Sequence, residues 1–447
     1  MKKNNLTLIL IALAIADLLG AIDSTGVYVA LPTLVRDLHI SLNLAQWVPN
    51  AFTLILVSTL ILCGRLGDKY GYKKLYVYGL ILFGLSSLLL GFANNAPLVI
   101  GTRALQGFAI AILYTMPTVI IAHLWREREK AFAVTASAFA GGMLVGPVLG
   151  GVLTGLNFGN FHGWHLLFLL NVPIVIVGLI ISLKYIPEIP HKGGQKFDFL
   201  AVALLFSALI ITTLSFSVIA KPYLLLGLAL FVAIYFLERK SATPLLDFSI
   251  FNRTFTAANI ISFISMVTMI GMSYVLTFYL QQTLGWSSTQ AGFALLPIPF
   301  VAGIFSVIGG KIKNWRLAGF IVSIMVTLGL LMLALIRSDS TYWTGVLPGL
   351  SLIAGGSGIL MTTLFAAMLG SVPTEKSATA SGFLNTIQQV GSLVGIAIIA
   401  GIVLQYNKSF TLLLLISLLG IIAAFFVRNK TNIKNSAPEG GSAVEAR

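Results

Sequence analysis

The chain of 447 residues has one cysteine, five histidines and only 14 acidic residues. A single thiol, Cys63, supports neither an internal disulfide framework nor a cysteine-based zinc cluster. The histidines (His39, His123, His162, His165 and His191) fall at the ends of apolar runs or between them. They form no H-E-x-x-H pair, and no acids cluster with them, so a catalytic metal has no evident ligand set. A phosphate loop of the G-x-x-x-x-G-K-[ST] type is also missing, which argues against a nucleotide-driven pump. No metal and no cofactor is expected, and no enzymatic activity.

What is present is apolar surface. Hydrophobic residues make up 57% of the chain, charged residues 9%, and the mean hydropathy is +0.96. A soluble domain could not hide that surface, whereas a bilayer takes about twenty apolar residues per helical crossing. The expectation is an all-α integral membrane protein. Lys2 and Lys3 precede a first apolar run of spanning length without a small-residue cleavage site, so no cleavable leader is expected.

Fourteen apolar spans can be read, near 6–31, 44–63, 75–92, 97–124, 131–156, 164–186, 197–217, 222–237, 255–282, 287–310, 314–336, 344–370, 378–404 and 409–427. The even-numbered connections carry Arg65, Lys69, Lys73 and Lys74, then Arg126, Arg128 and Lys130, then Lys184, Lys192 and Lys196. Later ones carry Arg239, Lys240 and Arg253, then Lys311, Lys313 and Arg316, then Lys376. The odd-numbered connections carry only Arg36, Lys221, Arg337 and Lys408. Basic residues gather on the cytoplasmic side, so both termini are expected there. The net charge of +14 is then mostly topology, and no nucleic-acid partner is needed.

An internal repeat accompanies the spans. Gly64 and Gly310 each precede a basic connection, 246 positions apart, and Glu129-Lys130 recurs as Glu375-Lys376 at the same offset. Two parallel six-helix halves with an even number of inserted helices would give this pattern. The expected division is residues 1–196, an inserted pair at 197–240, a second half at 241–430 and a disordered polar tail at 431–447.

The connection after the second span reads Gly64-Arg65-Leu66-Gly67-Asp68-Lys69-Tyr70-Gly71-Tyr72-Lys73-Lys74. It resembles the signature loop of the major facilitator superfamily. Gly67 and Gly71 suit a tight turn and close helix approach. Asp68 can accept from a neighbouring helix N-terminus or an arginine, and so latch one conformational state. Further stretches are similar to the fourteen-helix drug:proton antiporter branch. They are Ile22-Asp23-Ser24-Thr25 with Val29-Ala30-Leu31-Pro32, where Gly26 replaces the usual valine, and Leu98 to Gly107 with Arg103 and Gln106. Gly142 to Gly151, containing Gly146-Pro147 and Gly150, looks like the antiporter motif of the fifth helix. Trp164 to Pro173 resembles the sixth-helix start, with His165 in place of the usual arginine. Ser381-Gly382 with Asn385 and Gly391 adds a match in the second half.

The resemblance implies a major facilitator fold of two six-helix bundles plus two inserted helices. It also implies a proton-coupled multidrug efflux antiporter in the bacterial cytoplasmic membrane, acting as a monomer on lipophilic cationic or zwitterionic drugs and conferring antibiotic resistance. One departure bears on substrates: spans nine to fourteen hold no carboxylate away from their ends, which argues against strongly cation-selective or divalent recognition. A dedicated exporter of one metabolite, lipid or antibiotic, an uptake symporter and a passive channel are the competing readings.

Three ionisable side chains sit deep inside apolar runs: Asp17, Asp23 and Arg103. Such charges are costly in a membrane and mark pathways or relays. Asp23 lies about 13 Å below the outer end of its helix and Arg103 about 9 Å below that of the fourth span, so the two are plausible partners. Asp17 lies roughly 9 Å deeper than Asp23 and about 120° round the helix. Asp23 and Arg103 are expected to couple protons, with Asp17 a second proton site, a cavity residue or a structural acid. Gly64, Arg65, Gly67, Asp68, Gly71, Lys73, Gly142, Gly146, Pro147 and Gly150 are the expected gating positions. The candidate drug contacts are Asp23, Asn50, Gln106, Tyr114, Met269, Tyr274, Met361, Phe365, Asn385 and Gln388. Together they would give an adaptable apolar pocket with sparse polar groups.

Overall fold

The computed structural model describes residues 3–125, 128–156, 162–190, 250–336, 340–373 and 377–429, with scattered positions between 204 and 236. The described secondary structure is helical throughout. In order come α1 (Lys3–Asp37), the short α2 (Leu42–Ala45), α3 (Trp47–Tyr70), α4 (Tyr72–Leu90), α5 (Ala96–Leu124), α6 (Arg128–Gly155), α7 (Trp164–Leu169) and α8 (Asn171–Tyr185). After the sparsely described stretch follow α9 (Arg253–Phe278), α10 (Ser288–Ala294), α11 (Pro297–Gly309), α12 (Trp315–Ala334), α13 (Leu347–Ile359), α14 (Phe365–Gly370), α15 (Ser377–Ile399) and α16 (Tyr406–Ala424). Single π-helical turns occur at Tyr279–Thr283, Tyr342–Val346 and Leu360–Leu364.

Among the described residues, eleven helices are long and apolar enough to cross a membrane, or up to twelve if the bent pair Leu42–Leu60 and Leu62–Tyr70 forms one span. Twelve spans were expected outside the inserted pair. The two inserted spans, at 197–217 and 222–237, lie almost entirely outside the described residues. So do the expected tail and the Glu375-Lys376 half of the repeat.

The chain packs as two units. One comprises Met1–Leu245, Met269–Phe300 and Ser392–Ser409; the other comprises Leu246–Thr268, Val301–Gly391 and Phe410–Arg447. The core of the first is built from Ile9, Leu13, Phe52, Leu56, Tyr76, Leu80, Phe83 and Ile110 among others. The second centres on Phe255, Ala258, Trp315, Val322, Leu360, Leu364 and Met368. Polar groups inside the helices are handled locally: Thr102, Thr115 and Thr268 each return a hydroxyl proton to the carbonyl four residues back.

Helix ends follow their sequence. Asn95 caps α5 by accepting from the Leu98 amide at 2.9 Å, and Ala96-Pro97 opens the helix where a missing N–H costs nothing. Between α3 and α4 the chain turns at Gly71, whose φ of 97° suits a residue without a Cβ. Pro32, Pro117 and Pro147 lie inside continuous helices, as the polar demands of a membrane allow when neighbouring groups re-satisfy the backbone.

Candidate functional site

Asp23 and Arg103 meet. The Arg103 guanidinium donates to Oδ2 of Asp23, and both side chains are essentially sealed from solvent. The same Nη1 also donates to Gln106 Oε1 at 2.7 Å, and Nε donates to the Val48 carbonyl at 3.1 Å. The guanidinium carbon stands 4.3 Å from the centre of the Phe52 ring and 5.9 Å from that of Phe168. Those aromatic faces supply the electrostatic attraction that a cation without water requires.

Oδ1 of Asp23 takes two amides, Gln106 Nε2 and Asn171 Nδ2, each at 3.4 Å. The same two amides donate to the Ser87 hydroxyl, at 2.9 and 3.4 Å. The pair is therefore the hub of a buried network drawing on α1, α3, α4, α5 and α8. A charge pair in this setting is held by its hydrogen bonds as much as by its Coulomb attraction, and loss of one member strands the other.

Gln106, expected to touch substrate, is fully buried in this network. Asn171 and Ser87 were not anticipated. Their only signal was an amide and a hydroxyl within apolar runs, a common occurrence in membrane helices. Gly107, next to Gln106, lets α5 lie directly against the Phe52 carbonyl, a contact that any Cβ would block.

Asp17 sits apart, half-buried, with the Thr135 hydroxyl in hydrogen-bonding reach. Tyr76 lies on the same side of the bundle and donates to the Ala12 carbonyl at 2.7 Å.

The signature loop folds as a tight α3–α4 turn. Gly67 faces the Met116 side chain, where a Cβ would come within 2.8 Å of Sδ, and Gly64 is near Thr115. Asp68 accepts from the Tyr72 hydroxyl at 2.7 Å, across the turn and at the N-terminus of α4. Arg65 and Lys73 are part-exposed beside it.

The small residues of α6 divide between two partners. A Cβ at Gly142 would lie 2.6 Å from that of Ala21, and Gly146 abuts Thr25 and Ile22. At Gly150 a Cβ would fall 2.8 Å from the Gly26 Cα, so the glycine at position 26 belongs to the same contact. Pro147 and Gly151 instead face α10: a Cβ at Gly151 would be 3.1 Å from the Gly292 Cα, and Gly292 packs on the Pro147 carbonyl. The Ser288 and Thr289 hydroxyls both donate to the Gly151 carbonyl, at 3.1 and 3.2 Å. Small residues on both helices let the backbones approach closely enough for side-chain hydroxyls of one to reach a carbonyl of the other.

His165 has both ring nitrogens on backbone carbonyls, Nδ1 2.8 Å from His162 O and Nε2 3.0 Å from Ala93 O, and stacks on Trp164.

The remaining candidate drug contacts are divided between the two units. In the first, Asn50 is fully buried with neither amide atom hydrogen-bonded, and Tyr274 is buried with its hydroxyl unpartnered. Tyr114 and Met269 are part-exposed there. In the second, Met361 and Asn385 are exposed, Phe365 packs against the core, and Gln388 donates to the Ser262 hydroxyl at 3.0 Å.

Comparison with known proteins adds the following. The family model described as Major Facilitator Superfamily matches residues 13–396. The multidrug efflux pump LfrA of Mycolicibacterium smegmatis is 30% identical over 415 residues, covering 90% of this chain and 81% of that protein. The riboflavin transporter RibZ of Clostridioides difficile is 27% identical over 416 residues, covering 90% of each. Among solved structures, a bacterial homolog of the human lysosomal transporter Spinster, inward-facing and unoccupied, superposes with a TM-score of 0.68 at 15% identity, over 97% of this chain and 98% of that one.

Proposed function

The chain belongs to the major facilitator superfamily, a multi-pass membrane transporter and not an enzyme, and on that premise we propose that it is a proton-coupled multidrug efflux antiporter. The observation that carries this reading is the sealed Asp23–Arg103 pair with its ring of amides. A proton on Asp23 removes the anion that Arg103 faces. The guanidinium and Gln106 on α5 and Asn171 on α8 must then find new partners, and the carboxylate they leave is on a third helix, α1. Protonation is in this way tied to helix rearrangement, which is what alternating access needs. The α6 contacts with α1 and α10, through Gly142, Gly146, Gly150 and Gly151, are the surfaces that such rearrangement would make and break. Export of lipophilic drugs is supported by the likeness to LfrA. The orientation with both termini in the cytoplasm follows from the basic connections, and the membrane is the bacterial cytoplasmic one.

A second reading, a dedicated carrier of one metabolite, draws on the likeness to RibZ. Both readings share the carrier cycle and differ in substrate breadth.

The test uses proteoliposomes with an imposed pH gradient and an entrapped pH dye, comparing wild type with Asp23→Asn. Ethidium and then a neutral lipophilic drug are added. Proton movement on drug addition that vanishes in the variant is the expected result. Drug movement in wild type without any proton signal would sink the coupling model in favour of a uniporter.

A further inference from the structure

The two bonds of the His165 ring fix its charge. Nδ1 lies 2.8 Å from the His162 carbonyl and Nε2 lies 3.0 Å from the Ala93 carbonyl. A carbonyl can only accept, and a neutral imidazole has one N–H and one lone pair. Both contacts are hydrogen bonds only when both ring nitrogens carry a proton, so the geometry is that of an imidazolium. In the neutral ring a lone pair would face a carbonyl oxygen, at a residue only 8% exposed. The fully buried Trp164 indole stacks on the ring with centroids 3.7 Å apart, and an aromatic face of that kind attracts a cation.

A second imidazole lies over the first. The His162 ring is stacked 6.1 Å from that of His165, and its Nδ1 is 3.2 Å from Oδ2 of Asp37 at the end of α1. That carboxylate oxygen is buried and accepts no hydrogen bond, so a charged, donating His162 supplies what it lacks. The other charged or titratable side chains at this end of α1 are Arg36, whose Nε is 4.0 Å from Oδ1 of Asp37, and His39. The α4–α5 connection, Gly91 to Asn95, brings none, and α5 brings Arg103. Asp37, His162 and His165 thus join α1, the start of α7 and the α4–α5 connection. Leu169 of α7 packs on the same connection, in the space that a Cβ on Gly91 would need. From this cluster a line of rings leads inward: Trp164 meets Phe168 edge-on at 6.3 Å, and the Phe168 ring is 5.9 Å from the Arg103 guanidinium carbon.

We propose that His165, His162 and Asp37 form a proton-binding clasp that fastens α7 to α1 and to the α4–α5 connection when loaded and releases it when discharged. A histidine is the side chain that changes charge between about pH 5 and 8. Loaded, His165 holds both carbonyls and His162 holds Asp37 by a charge-assisted bond. Discharged, His165 gives up one carbonyl and His162 gives up its charge. The sign follows: the clasp stabilises α7 at low pH, and that contribution is lost as the pH rises. Its use in transport rests on the orientation and coupling proposed above. On that reading this end of the unit faces outward, and the clasp senses the external protons that drive export. His165 is then a positioning residue, acting on Arg103 through Trp164 and Phe168.

The experiment uses the full chain in lipid nanodiscs, with isotope-labelled histidine read by nitrogen magnetic resonance. The His165 signals are those lost in His165→Gln. Both ring nitrogens should be protonated at about pH 5, with one proton lost on the way to about pH 9. A ring already neutral at the low pH would overturn the proposal, and so would one still charged at the high pH, which is a fixed cation and no switch. The clasp itself is read by hydrogen exchange of α7, corrected for the chemical pH dependence. Wild type should exchange about tenfold faster at the high pH, the loss expected for a hydrogen bond made by a charged group. His165→Arg keeps a charge and donors at every pH and should hold α7 slow throughout. The same pH response in wild type and His165→Arg would refute the clasp. His162→Gln, at a side chain 44% exposed, carries the test if the arginine variant does not fold: the pH response should shrink about threefold, and an unchanged response would overturn the role of His162 and Asp37. Neither readout needs a drug or a gradient. In proteoliposomes, a working clasp without drug-driven proton movement would refute the antiport reading alone. Proton movement that depends on outer pH alike in wild type and His165→Arg would refute the hold of the clasp on Arg103 and leave antiport standing.

Discussion

Consider removing each half of the buried pair, then both. Arg103 is 1% exposed and donates to Asp23, Gln106 and Val48. With Asp23→Asn the guanidinium keeps two carbonyl acceptors and an isosteric amide, but no anion. One-sided loss of a buried pair costs about 3–5 kcal/mol, and the retained shape puts this variant near ~3 kcal/mol. Arg103→Leu does more damage: the carboxylate is left with two amides at 3.4 Å, and Phe52 loses the cation over its face. Its cost belongs near the upper end, ~5 kcal/mol. The double variant Asp23→Asn/Arg103→Leu carries no stranded charge, and neutral replacements of similar volume are often tolerated, so its loss should be smaller than either single loss, ~1–2 kcal/mol. The assay is thermal unfolding of detergent-solubilised protein, read through tryptophan fluorescence. Trp164, fully buried in the same unit, is one reporter. The decisive quantity is the order of the three variants. If the double loss equals the sum of the single losses, the two residues do not act as a pair and the reasoning fails. The double variant should in addition fold yet move no protons.

Two further outcomes follow from close contacts. Gly146→Val would drive a side chain into Thr25 and Ile22 of α1, costing about 1–3 kcal/mol of stability, while Gly141→Val, with open space around its Cβ position, should stay within about 0.5 kcal/mol of wild type in the same unfolding assay. Tyr72→Phe deletes the bond to Asp68 and should cost about 1 kcal/mol; Asp68→Asn added to it should cost little more, and additive losses in that cycle would show that the two do not interact.

The Asp23–Arg103 partnership was legible because charges in apolar runs are rare and because helical rise gives depth. Three similar-looking polar residues were harder. Gln106 lies a turn from Arg103 and could equally have faced a cavity; the structure turns it into the network. Asn171 and Ser87 come from α8 and α4, and nothing in an isolated amide or hydroxyl says which distant helix it will meet. Gly71 announced its turn because a positive φ favours glycine, and the turn is there. Gly20 carried no such signal, since a side chain there would meet a ring 94 positions away in the chain, Tyr114. The small-residue run of α6 presents two contact faces, because neighbouring positions on a helix point about 100° apart and can address different partners.

That last geometry has a genetic consequence. Gly150 answers to Gly26 in α1, and Gly151, one codon later, answers to Ser288 and Gly292 in α10. Lesions at these adjacent codons would be rescued by non-overlapping sets of suppressors, the first in the opening helix and the second more than a hundred residues downstream. Linkage on the genetic map would then run opposite to linkage in the fold: the nearest alleles would be the least related, and the most distant would be the true partners.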